Sequence, residues 1–190
     1  MAIKTFTTGE LLTASDTNTY LSNSGLVFVK QLAFTASTAA SPANVDSCFS
    51  ATYDNYRIVI RSVYSTNPAA NLRLKMRSGT TTPTQNDWYT HIVYSTNTGG
   101  FAAIYFANQT NAIVGNAAST SALCTVEISD PFNTKQTLTT SNSVAWGVTD
   151  NIMTTCGDGL LNTTSYDGFQ LYTDAGNITG TAIVYGYRKS

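Results

Sequence analysis

From Gly25 onward the chain alternates apolar and polar residues with the period of two that belongs to half-buried strands. The clearest run is Leu72 to Arg77, where Leu72, Leu74 and Met76 fall on one face while Arg73, Lys75 and Arg77 fall on the other, which should be wet. Tyr56, Ile58 and Ile60 likewise face away from Arg57, Val59 and Arg61. Further strands are expected at Leu26 to Phe34, Trp88 to Tyr94, Phe101 to Ala107, Leu123 to Ser129, Ser143 to Val148, Gly168 to Thr173 and Thr179 to Tyr187. Turn-forming residues separate them at Asn97 to Gly100, Asp130-Pro131, Gly157 to Gly159 and Asp174 to Asn177. Eight or more short strands at this spacing, with no alternation of strands and helices, predict an all-β fold, an antiparallel β-sandwich of jelly-roll-like type.

Residues 1–24 read differently. Thr13 and Asp16 have capping-box spacing, so a short helix is expected from about Ala14 to Leu21, ended by Ser22 to Gly25. Its few apolar residues cannot stabilise it alone, which makes residues 1–24 an arm that orders by docking and residues 25–190 the sandwich domain.

A second pattern occurs twice: Thr52-Tyr53-Asp54-Asn55-Tyr56 and Ser165-Tyr166-Asp167-Gly168-Phe169. Asp-Asn and Asp-Gly suit chain reversal, and the aromatic that follows opens a strand, so each copy reads as a corner, with Tyr53 and Tyr166 closing the sandwich ends and Asp54 and Asp167 setting the turns.

Composition agrees with strands. Charged residues are 11% of the chain, and Thr, Ser and Asn make up about a third of it. Ten Lys and Arg against eleven Asp and Glu provide no general attraction to nucleic acid or to anionic lipid. Cys48, Cys124 and Cys156 are odd in number and widely spaced, which argues against a disulfide framework and against a thiolate metal site; Cys124 reads as a buried free thiol. The first residues lack the apolar core of a secretory signal, and no apolar run reaches membrane-spanning length, so the expectation is synthesis in a reducing cytoplasm without membrane insertion.

Candidate chemistry is sparse. His91 is the one histidine, placed in an expected strand with no carboxylate near it in sequence, and a structural role suits it. The glutamates are Glu10 and Glu127, so a paired-carboxylate hydrolase would have to use aspartates such as Asp150 and Asp158, both in turn-like sequence where Asp serves the backbone. Gly157-Asp158-Gly159 lacks the Lys-Ser/Thr of a phosphate loop and reads as a turn. No catalytic, cofactor or metal residue is therefore expected. Arg73, Lys75 and Arg77 are the candidate partner-facing surface, and Tyr64, Tyr89, Tyr94, Tyr105 and Tyr172 are aromatics that some registers would leave on wet faces, where they suit sugar stacking or subunit packing.

The arm from Phe6 to Leu21, with its Gly9-Glu10-Leu11-Leu12-Thr13-Ala14-Ser15-Asp16-Thr17-Asn18 stretch, resembles the N-terminal segment of tail-fibre and other structural proteins of tailed bacteriophages. The Phe49 to Arg57 corner, Leu72 to Lys75, Ser165 to Phe169 and the ending Asn177 to Ser190 are similar to the same class, notably in marine phages and cyanophages. The resemblance implies a non-enzymatic virion protein, assembled in the host cytoplasm, often a homotrimer, and attached to a capsid, neck or tail protein through arm residues Phe6, Leu11, Leu12, Asp16, Asn18, Tyr20 and Leu21. With no heptad segment between arm and domain, it implies a short fibre, an adaptor or a capsid decoration protein. The alternative is a carbohydrate-binding module that recognises a host surface glycan.

Overall fold

A computed structural model describes residues 7–11, 13, 25–67, 70–95, 99–147 and 151–188, with the backbone alone at Ser62. The strands in chain order are β1 (Leu26–Ser37), β2 (Ala43–Val45), β3 (Tyr53–Ser65), β4 (Asn71–Arg77), β5 (Trp88–Ser95), β6 (Phe101–Gln109), β7 (Ala112–Asn116), β8 (Ser121–Ser129), β9 (Thr137–Trp146), β10 (Asn151–Leu160), β11 (Gly168–Thr173) and β12 (Ile178–Arg188). No helix occurs among the described residues, and the helix expected at Ala14 to Leu21 lies outside them. What is described of the arm includes a turn in which Glu10 N–H donates to the Thr7 carbonyl and Thr7 N–H donates back to Glu10 Oε2.

Every strand pairing is antiparallel, and the strands form a sandwich-like pair of sheets. The larger sheet runs β1-β12-β3-β8-β9-β10-β5-β6 and the smaller runs β2-β11-β4-β7. The pairings nest: β1 with β12, β2 with β11, β3 with β8 and β4 with β7. The β5–β6 and β9–β10 hairpins are excursions from this nest, and both extend the larger sheet beyond β8.

The alternating runs form the core as the pattern requires. Tyr56, Ile58 and Ile60 of β3, and Val126 and Ile128 of β8, point inward from the larger sheet to meet Leu72, Leu74 and Met76 of β4 and Phe169 and Leu171 of β11, all buried. Burial of such side chains is the main source of stability in a sandwich. The three cysteines are free and buried, Cys124 among them as expected, and burial pushes all three thiols well above the ordinary range.

The added half of the larger sheet obeys a different rule. β7 is an edge strand of the smaller sheet, so one side of its backbone lacks strand partners, and it lies beneath β9 and β10. Side chains of the larger sheet supply the missing bonds. Ile113 N–H donates to Asp158 Oδ1 at 3.2 Å, Asn116 N–H donates to Ser143 Oγ at 3.4 Å, and the Cys124 thiol donates to the Val114 carbonyl at 2.9 Å. At Gly115 φ is +151°, and a Cβ would stand 2.5 Å from Ser143 Oγ, so only glycine lets β7 come this close. These bonds account for the inward Ser143 and for Thr139, which donates to Asp158; the alternation of β9 places Thr137 and Ser141 on the same inner face and leaves Leu138, Val144 and Trp146 facing solvent.

The structure corrects two sequence expectations. Gly157-Asp158-Gly159 is not a turn but lies inside β10, with Asp158 buried. Tyr53, Asp54 and Asn55 belong to β3 and the turn precedes them at Ala51-Thr52, whereas Asp167 does sit at a bend before β11. The two corners open strands in different sheets, β3 in the larger and β11 in the smaller. Strands β2, β7 and β10 and the first half of β9 are additions to the set expected from the sequence.

Candidate functional site

The basic row does project from the outer face of β4, as its alternation requires, but it is tied down rather than wet. Arg73 donates to Asp174 Oδ2 at 2.8 Å and to Asn111 Oδ1 at 3.1 Å. The Lys75 ammonium lies 5.9 Å from the centre of the Tyr172 ring. Arg77 is buried, held by Asp46 at 2.5 Å, the Thr82 hydroxyl at 2.8 Å and the Thr80 carbonyl at 2.8 Å. These cations lock the 78–87 segment and the Asp174 turn onto the smaller sheet. Of the expected arm residues, Leu11 is exposed, while Phe6, Leu12, Asp16, Asn18, Tyr20 and Leu21 lie outside the described residues, as does Asp150. Among the aromatics proposed for wet faces, Tyr64 and Tyr105 are exposed, Tyr89 and Tyr94 are half-buried and Tyr172 is buried.

The surface the sequence did not reveal is the outer face of β8, β9, β10, β5 and β6. Strand register aligns Leu123, Val144, Met153, Ser95 and Phe101 in one row across these five strands. Leu123, Val144, Met153 and Phe101 are all exposed, Phe101 most of all at 77%. Trp146 and Val93 extend the row on either side, both exposed. A row of large apolar side chains left in water is a candidate interaction surface. Charge is missing from it: no charged residue occurs between Asp87 and Glu127, β9 has none, and the one in β10, Asp158, points inward.

Four residues along the strands, the row Glu127, Thr140, Gly157, His91, Tyr105 has a different character. Because Asp158 faces the interior, Gly157 and Gly159 face out, and a Cβ at Gly157 would meet nothing within 4 Å. The result is a floor of bare backbone. Tyr89, His91 and Tyr105 wall one side, with the His91 and Tyr105 rings 4.7 Å apart and the Tyr89 hydroxyl bonded to Asn108 Oδ1 at 3.0 Å. Leu138 and Thr140 wall the other. Beyond them a hollow of about 360 Å³ opens between Asn55, Glu127, Ser129, Leu138, Thr140 and Tyr187. Glu127 marks the boundary of the uncharged zone, paired with Arg57 at 2.5 Å and accepting from the Tyr187 hydroxyl at 2.8 Å.

Asp158 itself accepts from Thr90 Oγ1 at 2.6 Å and Thr139 Oγ1 at 3.0 Å as well as from the Ile113 amide. Burial pushes its carboxyl up to about 6, against the pull of these hydrogen bonds. Its oxygens are directed at the fold, not at the surface. Among the described residues no group of three or more His, Cys, Asp or Glu is placed to hold a metal ion, and no helix is long and apolar enough to cross a membrane.

In sequence, the signal for this surface is the long uncharged stretch between Asp87 and Glu127. Its apolar positions resemble core positions, which hides it. Comparison with known proteins finds no matching family model, no matching curated protein and no matching solved structure.

Proposed function

We propose that the chain is a non-enzymatic structural protein of a tailed-bacteriophage particle: a short fibre, adaptor or capsid decoration protein whose residues 1–24 attach it to a capsid, neck or tail subunit and whose residues 25–190 form a displayed jelly roll. The observation that carries this reading is the nested pairing β1–β12, β2–β11, β3–β8 and β4–β7. With the two hairpins set aside, four strands remain in each sheet, a long hairpin rolled on itself as in the jelly rolls of viral capsids. The uncharged apolar outer row supports it as well, since a surface of that kind suits packing against other subunits in a homo-oligomer or a particle lattice. The resemblance of the arm and corners provides the particle class. Deleting residues 1–24 should reduce incorporation into particles at least tenfold while the thermal transition of the sandwich is retained. Undiminished incorporation of the truncated chain overturns the attachment role.

The glycine-floored groove favours a second reading, recognition of a host glycan by stacking on Tyr105 with the backbone floor beneath. Aromatic faces beside a flat polar floor are what a sugar ring uses. Isothermal titration with host surface polysaccharide should show binding that Tyr105→Ala weakens at least tenfold, and an unchanged affinity removes the groove from consideration.

A further inference from the structure

The two sheets have four edges, and among the described residues three are protected by recognisable means. β2 is only three residues long. β7 is covered by the side chains of β9 and β10 described above. β1 breaks register twice, between Phe28 and Lys30 and between Phe34 and Ser37, and turns Lys30 inward onto the Asp46 carbonyl. Short strands, bulges, inward charges and covering elements are the devices that stop sheet edges from pairing with other chains. β6 has none of them over most of its length. From Phe101 to Ile104 and on to Phe106 it follows β5 residue by residue, and its one irregularity lies at the other end, where Asn108 has a φ of +54°. It contains no charge and no proline.

We propose that β6 pairs with β6 of a second copy of this chain, antiparallel about a two-fold axis normal to the sheet, so that the larger sheet runs on through two molecules. The occupant is set by self-complementarity. A strand edge offers alternating N–H and C=O groups that match its own two-fold image, and an uncharged strand does not repel its copy. The other free edge, β1, is blunted, so a head-to-tail contact has no equivalent partner. Such an axis keeps both outer faces on one side. Phe101, Ala103 and Tyr105 of each copy then flank those of the other as cross-strand neighbours. The apolar rows ending at Phe101 join into one uncharged surface. The pairing predicts a two-fold dimer where the resemblance implied a trimer, and it depends on the sandwich edge, not on attachment through the arm.

The test uses the full chain. Sedimentation equilibrium over a concentration series should show a reversible dimer, and those Phe101–Phe106 amides that point away from β5 should exchange more slowly as concentration rises. Ala103 is exposed, so Ala103→Lys and Ala103→Glu place like charges across the axis without entering the core. Each variant alone should dissociate at least tenfold more readily than the parent chain, and an equimolar mixture of the two should recover dimer. Rescue by mixing separates a broken contact from a broken fold. A monomer, a trimer, a dimer insensitive to both charges, or β6 protection that does not depend on concentration overturns the pairing; the last would mean that the chain's own arm covers the edge.

Discussion

Replacing Asp158 by Asn should make the protein more stable at neutral pH and remove a pH dependence that the parent chain shows. The carboxyl is raised from 3.8 to about 6 by burial, so the folded state binds its proton more tightly than the unfolded chain does. Stability from this group is therefore fully present below about pH 4, declines as pH rises from about 4 to about 6, and stays reduced above that. A shift of about two units corresponds to about 3 kcal/mol. The side-chain amide of the Asp158→Asn variant is neutral throughout and retains an acceptor for the Ile113 N–H. Urea unfolding from pH 3 to 8 should show the parent losing about 3 kcal/mol relative to Asp158→Asn. Parallel curves would contradict the assigned burial. Asp158→Ala separates charge from bonding: it leaves the Ile113 N–H and two threonine hydroxyls without their acceptor, and it should be about 1–3 kcal/mol less stable than the Asn variant at every pH.

Trp88→Ala should cost about 3–5 kcal/mol, the range for removing a fully buried large aromatic. Trp88 opens β5 and is wholly buried in the main core, so it fastens the β5–β6 hairpin to the nested strands. Its indole N–H donates to Gln85 Oε1 at 2.8 Å, and the Gln85 amide in turn donates to the Met76 carbonyl at 2.7 Å. The substitution thus empties a core site and removes one donor from a buried amide. Trp88→Phe keeps most of the packing and loses the indole bond, so its cost should be under half that of the Ala variant. Chemical denaturation measures both, and a loss below about 1 kcal/mol for Trp88→Ala would mean that the hairpin is held elsewhere.

The sequence is legible where a strand has the main core on one side. Leu72, Leu74 and Met76, and Tyr56, Ile58 and Ile60, alternate because the opposite sheet's hydrophobic face demands it. It misleads where a strand covers a sheet edge. There the interior must supply hydrogen bonds, so Thr139, Ser143 and Asp158 are buried while Val144, Trp146 and Met153 are exposed, and the usual meaning of polar and apolar positions is reversed. Gly157-Asp158-Gly159 has turn chemistry, yet it serves a strand with a bare outer face and a carboxylate beneath. The basic row lies on the face its alternation assigns, but its partners Asp46 and Asp174 belong to remote loops that only the fold brings to β4. Aromatic neighbours from separate strands, such as His91 and Tyr105, are hidden for the same reason.

The most direct test of virion attachment is the position of the chain in an averaged image of the purified particle, with residues 25–190 labelled by a bound antibody fragment. The expected result is sandwich density projecting from the particle surface, joined at its base by residues 1–24 to a capsid, neck or tail subunit. Particles that carry no such density, from cells in which the chain is made in full, would contradict the proposal.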